Sequence, residues 1–490
     1  MSAPASGVAS AAEVTEATWT YPHADTPSLD RLSLQITPGE FVVLCGASGS
    51  GKSTALRLLN GLVPHFHDEG ALSGEVTVQG LDTVAVELDA IGLVTGTVLQ
   101  HPRRQFFTDS APEEIAFAME NFGFPPAEIR TRVGRALARI DGFVPVGERL
   151  QRLSGGQQQQ VAVVAATAHA PQMLLLDEPS ANLSTDAVAR LAATLAELKQ
   201  RGVTIVVAEH RLRYLEELVD RVVVMRSGRI DAQWSAAEFR AVSDETLASE
   251  GLRGRVRFAE VPVLAASGRS VATTSVGTDA PESDGALVLD DVRVRFGART
   301  VLDIDRLAIP AGSVTAFRGI NGSGKSTLVR AIVGLQRASG TISLDGRVLS
   351  ARARQRASAI VMQDVQRQLF TESVSAELEL AAQLRDGSPP DAAELDALLR
   401  SLDLDALADR HPLSLSGGQQ QRLVIAAARV AGRRVVVFDE PSSGVDRRHL
   451  QSIAEHIRAV AAEGAVVILI SHDEDLLALA ADQQVTLRPL

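Results

Sequence analysis

The sequence is poor in cysteine, and its charge balance is acidic. The one cysteine, Cys45, excludes internal disulfides and iron–sulfur clusters, which is consistent with a reducing cytoplasm. We expect Cys45 to be a packed core thiol rather than a redox group. The formal net charge of −12 makes nucleic acid an unfavourable partner.

Long apolar stretches are also missing. No stretch reaches the roughly eighteen uninterrupted apolar residues that a membrane-spanning helix needs. Residues 1–12 are small and polar, without the basic start and the apolar centre of a signal peptide. A transport role would therefore need a pore from other chains. Apolar residues still make up 45% of the chain, which is enough for a large core in each of two domains.

Two glycine-rich segments fit the phosphate-loop pattern G-x-x-x-x-G-K-[ST]. Each follows an apolar run and precedes a helical pattern, which is the context in which this motif binds nucleotides. The glycines let backbone N–H groups surround phosphate oxygens, the lysine neutralises charge and the serine hydroxyl reaches Mg²⁺. The expected nucleotide ligands are Gly46, Ser48, Gly49, Gly51, Lys52, Ser53 and Thr54 in the first loop, and Gly319, Asn321, Gly322, Gly324, Lys325, Ser326 and Thr327 in the second.

Further motifs recur in the two halves, three of them at a constant offset of 262 positions. These three are the LSGGQ segments Leu153–Gln157 and Leu415–Gln419, the acidic pairs Asp177–Glu178 and Asp439–Glu440, and the histidines His210 and His472. Upstream, Gln100 corresponds to Gln363, and Tyr21 corresponds to Phe296. The first half has about ten extra residues near His65 and His67, where we favour a solvated loop over a metal site.

These motifs, in this order, resemble the ATP-binding subunit of ABC transporters, with its Walker A, Q-loop, signature, Walker B, D-loop and H-loop. The resemblance covers residues 14–240 and 286–490, and residues 241–285 are predicted to be a flexible linker with a short helix in its first part. It implies an α/β fold with two P-loop NTPase (ABC ATPase) domains. Each domain would have a mostly parallel sheet core, a helical subdomain and a small antiparallel β part.

The resemblance also implies the roles of the site residues. Asp177 and Asp439 would ligate Mg²⁺ together with Ser53, Ser326, Gln100 and Gln363. Glu178 and Glu440 would act as general bases on the attacking water, and His210 and His472 would contact the γ-phosphate. Tyr21 and Phe296 would stack on adenine, although Trp19 lies on the same face as Tyr21 if that segment is a strand.

In this family, the signature of one domain contacts the nucleotide held by the other. The resemblance therefore implies an internal head-to-tail pseudodimer with two ATP molecules between its halves. Ser416 and Gly418 would complete the first site, and Ser154 and Gly156 would complete the second.

Two departures from the family pattern leave the equality of the two sites open. Ser184 occupies the D-loop position at which the second half has Asp446, and Gln160 replaces the arginine seen at Arg422. Tolerated drift and a real difference between the sites are both compatible with these changes.

The segment after each Q-loop glutamine follows the pattern Q-x-x-x-x-Q-[LF]-F, at 100–107 and at 363–370. It resembles the ATPases of energy-coupling-factor (ECF) importers. The resemblance implies ATP and Mg²⁺ as cofactors, a position on the cytoplasmic face of the membrane, and two membrane partners. One would be a coupling transmembrane protein, and the other a small substrate-binding protein for a vitamin, a vitamin precursor or a transition-metal ion.

One alternative is a tandem ATPase of sugar importers, which has a similar length but often one weakened site and a different Q-loop neighbourhood. The main alternative is a soluble tandem ABC ATPase that acts on ribosomes. Such a protein usually joins its halves by a long charged helix, whereas this linker ends in Ser, Thr, Gly and Pro. A DNA-repair ABC ATPase would need zinc-binding cysteines, which one cysteine excludes.

Overall fold

Each half of the chain folds around its own buried sheet. The computed structural model describes residues 10–22, 24, 26–66, 70–181, 183–254, 260–271, 286–320, 322–385, 391–442, 445 and 447–490. Two compact units result, Met1–Arg255 and Val256–Leu490. Asn321, His67, Asp446 and the end of the predicted linker at 272–285 lie outside the described residues.

The first unit combines a six-stranded sheet, a four-stranded antiparallel sheet and helices. Its elements are β1 (Ala12–Thr20), β2 (Leu29–Ile36), β3 (Phe41–Cys45), α1 (Lys52–Leu59), α2 (Leu62–His65), β4 (Ala71–Val78), β5 (Leu81–Asp82), α3 (Leu88–Val94), β6 (Thr95–Val98), α4 (Ala111–Asn121), α5 (Pro126–Ile140), α6 (Gly155–Thr167), β7 (Met173–Asp177), α7 (Thr185–Gln200), β8 (Thr204–Ala208), β9 (Arg221–Arg226), β10 (Arg229–Ser235), α8 (Ala236–Ala241) and α9 (Asp244–Ser249). The large sheet has the order β10-β9-β3-β8-β7-β6 and is parallel except at β10, and the small sheet has the order β2-β1-β4-β5.

The second unit repeats this plan with a five-stranded antiparallel sheet and a five-stranded parallel sheet. Its elements are β11 (Ala266–Ser267), β12 (Leu287–Phe296), β13 (Arg299–Ile309), β14 (Val314–Arg318), α10 (Lys325–Ile332), β15 (Ser339–Leu344), β16 (Arg347–Val348), α11 (Ala351–Ala357), β17 (Ser358–Val361), α12 (Val374–Ala382), α13 (Ala392–Ser401), α14 (Gly417–Val430), β18 (Val435–Asp439), α15 (Arg447–Ala462), β19 (Val466–Ile470), α16 (Glu474–Ala480) and β20 (Gln483–Thr486). The parallel sheet has the order β17-β18-β19-β14-β20.

The apolar runs of the sequence are the central strands of the parallel sheets. β3 and β8 are buried along their whole length, as are the corresponding β14, up to its last residue, and β19. Continuous Val, Ile and Leu runs suit such strands because both faces of a parallel sheet are covered by helices. Together with helices α4–α6 and α12–α14 after the Q-loops, this architecture confirms the predicted fold class.

Cys45 ends β3 and is fully buried. Burial, opposed by the nearby charge of Lys52, raises the pKa of its thiol. The thiol is therefore a neutral packing group at neutral pH.

Stretches at both ends of the predicted linker, 241–285, belong to the folded units. α9 and the residues up to 254 belong to the first unit, where Leu247 and Leu252 are fully buried in its core. Residues 260–271 belong to the second unit, where β11 pairs with β13. Buried leucines and strand pairing hold these stretches in place, and the Ser/Thr/Gly/Pro composition of the remainder concealed this boundary.

Within the described ranges, no helix is both long and apolar enough to cross a bilayer.

Candidate functional site

The first phosphate loop joins the end of β3 to the start of α1. Gly46 and Gly51 adopt φ values of 143° and 102°, in the region that favours glycine. A Cβ atom on Gly46 would lie 2.1 Å from the Met225 carbonyl oxygen, so no larger residue fits there. Gly49 and Ser48 are exposed at the loop tip. The loop therefore opens toward solvent at a helix N-terminus, the usual position for an anion.

Lys52 crosses the inside of this loop. Its Nζ donates hydrogen bonds to the carbonyl oxygens of Gly46 and Ala47, both at 2.9 Å, and to Ser50 Oγ at 3.3 Å. The side chain is buried, so its ammonium charge is poorly screened by water. The arrangement places one cation at the centre of the loop, where phosphate oxygens would bind.

A hydroxyl and a carboxylate meet beside the loop. Ser53 Oγ donates a hydrogen bond to Asp177 Oδ1 at 2.9 Å, where β7 ends. Burial and the charge of Glu178 raise the pKa of Asp177 to about 6, against the opposing effects of Ser53, Arg57 and Lys52. Oxygen ligands of this kind suit Mg²⁺, and a divalent cation would stabilise the buried carboxylate. These two residues therefore fit the predicted metal site.

Two other predicted site residues, Gln100 and His210, meet at Glu178. Its Oε2 accepts a hydrogen bond from Gln100 Nε2 at 2.7 Å, and its Oε1 lies 3.1 Å from His210 Nε2. Burial alone would raise the pKa of Glu178. The charge and hydrogen bond of His210, with help from Lys52 and Gln100, more than offset it, so the pKa is lowered. The carboxylate is therefore ionised and able to accept a proton from water.

The second unit brings part of the same set together. Lys325 Nζ donates to the Gly319 and Ile320 carbonyl oxygens at 2.6 and 3.2 Å. Burial lowers the pKa of Lys325, against the charges of Glu440 and Asp439. Burial likewise raises the pKa of Asp439, against Lys325 and Arg330. Gly319, Gly322 and Gly324 adopt φ values of 142°, 83° and 94°, as the corresponding glycines do in the first loop.

The glutamate and the histidine lie farther apart in the second unit. His472 Nε2 lies 3.8 Å from Glu440 Oε1, and Glu440 Oε2 accepts hydrogen bonds from Ser471 Oγ and the His472 amide. Gln363 is exposed, and in the described part of this unit it does not bond to Glu440. Ser326, also exposed, does not bond to Asp439 there. Both residues stay predicted Mg²⁺ ligands of the second site.

The aromatic candidates differ in accessibility. Trp19 is fully buried in the core of the small sheet, so it cannot stack on a base. The Tyr21 hydroxyl lies 3.4 Å from Thr54 Oγ1 and accepts a hydrogen bond from Arg57 Nη1 at 2.9 Å, which places it beside α1. Phe296 ends β12 with 54% of its surface exposed. The geometry keeps Tyr21 and Phe296 as the adenine-stacking candidates.

Thr327, a predicted nucleotide ligand in the first turn of α10, is partly buried.

The signature serines begin the long helices of the helical subdomains. Ser154 accepts a hydrogen bond from the Gln157 amide while its own amide donates to Gln157 Oε1, a capping box that Ser416 and Gln419 repeat. Gly156 is buried, and a Cβ atom there would lie 2.7 Å from the Cβ of Ala187. Gly418 is partly exposed. Close packing within its own unit is therefore one physical reason for Gly156.

Sequence reasoning missed the structural role of the second glutamine in the Q-x-x-x-x-Q-[LF]-F pattern. Gln105 accepts a hydrogen bond from the Leu99 amide and donates one to the Thr97 carbonyl, both at 2.9 Å. Gln368 makes the same two contacts with Met362 and Ile360. This glutamine ties each Q-loop to its edge strand. Its recurrence at one spacing was the available signal.

A buried carboxylate shapes the next turn of each segment. Glu114 Oε2 accepts hydrogen bonds from the Phe107 and Thr108 amides and from the Thr108 hydroxyl, and Glu377 repeats all three contacts. In each segment, this turn directs one apolar side chain inward and the next one outward. Phe106 and Leu369 pack in the interior, whereas Phe107 and Phe370 are 74% and 77% exposed.

The two departures from the family pattern lie in structural positions. Ser184 caps α7 by accepting a hydrogen bond from the Ala187 amide. Gln160 is buried and accepts from the Thr194 hydroxyl, and Arg422 is buried and donates to the Leu402 carbonyl. Gln160 and Arg422 therefore both have hydrogen-bond partners within their own units.

The preference for a solvated loop over a metal site near His65 and His67 stays a prediction. His65 Nε2 is 2.9 Å from the Thr83 carbonyl oxygen, and His67 lies outside the described residues. In the remainder of the chain for which positions are given, no cluster of three or more His, Cys, Asp or Glu could hold a metal ion.

Comparison with known proteins assigns the family. The model of the ABC transporter family matches residues 29–181 and 302–443. A protein of Treponema denticola named "Putative ABC transporter ATP-binding protein" is 38% identical over 91% of this chain and 89% of its own length. A Streptomyces coelicolor protein named in the same way is 31% identical over 96% and 90%.

Solved structures of similar fold include one that covers most of this chain. The archaeal ribosome recycling factor aABCE1, solved with the ribosomal stalk protein aP1, covers 96% of this chain and 87% of its own, with a TM-score of 0.59 and 21% identity. At this identity the likeness concerns the fold alone. The family match, the relatives and the duplicated site agree: the chain is a member of the ABC transporter family, with two ABC ATPase domains in tandem that bind ATP with Mg²⁺ and hydrolyse it.

Proposed function

We propose that this chain is the energising subunit of an ECF-type importer, coupling ATP hydrolysis to uptake of a vitamin, a vitamin precursor or a transition-metal ion. The observation that carries the proposal is a pair of exposed phenylalanines, Phe107 and Phe370, at the same place in each unit. Each follows its Q-loop glutamine by seven positions and is held outward by the same glutamine and glutamate contacts. Large exposed rings repeated on a fixed scaffold favour docking of an apolar partner.

The same segments are joined to the signature helices. Arg103 Nε donates to Gln158 Oε1 at 3.0 Å, and Gln366 Nε2 donates to Gln420 Oε1 at 3.1 Å. A movement of the Q-loop would therefore move α6 or α14 and the exposed ring with it. This supports a route from the nucleotide to a coupling membrane protein, with the cargo bound by a separate small membrane protein. The chain would then work at the cytoplasmic face of the membrane.

The catalytic assignments are part of this proposal. Glu178 and Glu440 accept the proton of the attacking water, His210 and His472 orient the γ-phosphate, and the phosphate-loop lysines neutralise charge. Mg²⁺, held by Ser53 and Asp177 or by their counterparts, would supply further charge neutralisation. Each nucleotide site would be completed by the signature of the other domain. Ser416 and Gly418 would complete the first site, and Ser154 and Gly156 would complete the second.

A soluble, ribosome-acting ATPase is the competing function. The fold likeness to the recycling factor raises this alternative without deciding it, because the fold is shared by the whole family. The net charge of −12 disfavours binding to ribosomal RNA. Exposed phenylalanines at the same place in both units favour the membrane-coupled function, although Phe107 also stacks on Phe117 at 4.8 Å between ring centroids.

The test is copurification with matched variants. The chain is co-expressed with the products of its neighbouring genes, and the membrane fraction is extracted with mild detergent. We expect a coupling membrane protein and a small substrate-binding membrane protein to copurify. The pair Phe107→Ser and Phe370→Ser should abolish this while the ATPase rate of the isolated chain stays within about twofold. Leu335→Ser, which changes another largely exposed apolar residue elsewhere, should have no effect.

Two results would contradict the proposal. Copurification with ribosomes and with no membrane protein would overturn the transport function and leave the ATPase chemistry intact. Retention of the membrane partners by the double phenylalanine variant would show that the partners dock elsewhere.

A further inference from the structure

Glu209 is a buried carboxylate that the mechanism above does not use. It precedes His210, and its side chain is only 2% exposed. Oε1 accepts hydrogen bonds from the amides of His210 and Arg211 at 2.8 and 3.2 Å. Oε2 accepts from the Tyr214 hydroxyl at 3.0 Å and from the Ser180 amide at 3.3 Å. A buried carboxylate persists only where its oxygens are bonded in this way.

These contacts join two loops of the first site. Ser180 follows the Walker B strand, two positions after Glu178, and His210 follows β8. The Glu209 amide also donates to the Leu44 carbonyl in β3, which fixes the residue to the strand that carries the phosphate loop. Burial, and then the charge of Glu209, raise the pKa of Tyr214, so the hydroxyl keeps its proton and remains a donor. Glu209 thus sets the distance between the loop after Glu178 and the loop of His210.

The second unit has different residues in place of Glu209 and Tyr214. In the constant register of the repeat, Glu209 corresponds to Ser471 and Tyr214 to Leu476. Ser471 Oγ donates to Glu440 and accepts a hydrogen bond from the Asp473 amide, and Leu476 is fully buried in the core. Replacing only one member of the first unit's pair would leave a buried oxygen without a hydrogen-bond partner. The paired replacement indicates two alternative solutions at one position of the fold.

The catalytic geometry differs with them. The nitrogen Nε2 of His210 lies 3.1 Å from Glu178, whereas that of His472 lies 3.8 Å from Glu440. Glu440 instead accepts a hydrogen bond from the Ser471 hydroxyl, and Glu178 has no corresponding contact because Glu209 stands at that position. We propose that Glu209 and Tyr214 are positioning residues that hold His210 against Glu178, so that the first ATP site turns over through an arrangement that the second site lacks. This inference rests on the catalytic roles proposed above for the first site.

The experiment isolates the first site in the full chain with Glu440→Gln and follows steady-state hydrolysis of Mg-ATP. There we expect Glu209→Gln to lower kcat about tenfold and to leave KM for ATP within about twofold, because binding groups are untouched while a catalytic group shifts. Glu217→Gln, an exposed carboxylate nearby, should change neither value. With His210→Ala already present, Glu209→Gln should add no further loss, as a residue acting only through His210 requires.

A repacked variant separates positioning from stability. Glu209→Ser together with Tyr214→Leu installs the pair that the second unit already uses. It should unfold at the same temperature as its parent and still show the lowered kcat. Full turnover in this variant, or a Glu209→Gln rate within about twofold of its parent, would overturn the proposal.

Other outcomes are equally decisive. In a chain with Glu178→Gln, only the second site works. If Glu209→Gln lowers kcat equally there, its effect is a general one on the fold, and the proposal is overturned. If Glu440→Gln alone abolishes turnover, the comparison moves to the chain with both bases. In that chain, Glu209→Gln must remove at least half of the activity. Unchanged activity would overturn the proposal. Full turnover of Glu178→Gln in the Glu440→Gln chain would instead refute the catalytic assignment, and this inference with it.

Discussion

Replacing both proposed bases, Glu178→Gln with Glu440→Gln, should nearly stop ATP hydrolysis without weakening ATP binding. At position 178 the amide oxygen can still accept the hydrogen bond from Gln100, and the side chain keeps its volume. What is lost is an anionic proton acceptor, which the lowered pKa of Glu178 keeps ionised in the native protein. The phosphate contacts expected of Lys52 do not depend on this charge.

The size of the effect follows from the step that is removed. General-base catalysis contributes about 10²–10⁴-fold, which is roughly 3–5 kcal/mol of barrier. We therefore expect kcat to fall by at least about a hundredfold and the Kd for ATP to stay within about threefold. The double variant should accumulate as a closed, ATP-loaded form.

The assay measures phosphate release and equilibrium ATP binding on the same preparation, with Glu217→Gln as the control. An unchanged rate of hydrolysis in the double variant would refute the assignment of the bases. A parallel loss of binding and rate would mean that the substitutions damage the fold, which contradicts the expectation that they are isosteric.

Three further predictions concern single positions. Glu114→Ala removes three hydrogen bonds and should lower the free energy of unfolding by about 2–4 kcal/mol in chemical denaturation, whereas exposed Glu113→Ala should cost under about 1 kcal/mol. Lys325→Ala should raise the Kd for ATP at the second site at least about tenfold in equilibrium binding, because the cation of that loop is lost. Burial lowers the pKa of His169 below 6.5, so the unfolded chain binds more protons and stability falls as pH drops through this range. A His169→Leu chain should lose less stability than the native chain between about pH 7.5 and about pH 5.5.

The fold and half of the site could be predicted because motif and strand end coincide. Asp177 follows an apolar run that can only be a buried strand, and Lys52 follows another, so both had to meet at one sheet edge. The same logic placed His210 beside them. The strand face shared by Trp19 and Tyr21 was also inferred, but periodicity does not tell which ring lies inside the sheet and which lies at its edge.

Loop conformation is where sequence reasoning stopped. Gln363 matches Gln100 in sequence, yet Gln363 is exposed whereas Gln100 bonds to Glu178, and the matching sequence pattern does not predict this difference. The short helix expected in the first part of the linker is α9, but the packing of the residues after it was not foreseen. Short segments with few apolar residues, such as the one containing Leu252, can still pack fully against a preformed core.

The repeat shows how two ATP sites can differ while every catalytic motif stays intact. The acidic pairs and the histidines are the same in both units, and strand ends hold them in the same order. Their distances are set by neighbours such as Glu209 in one unit and Ser471 in the other, which no motif includes. A difference in turnover between the sites would therefore come from such neighbours. Exchanging these neighbours should convert one site into the other more effectively than exchanging the D-loop residue Ser184, whose side chain caps a helix.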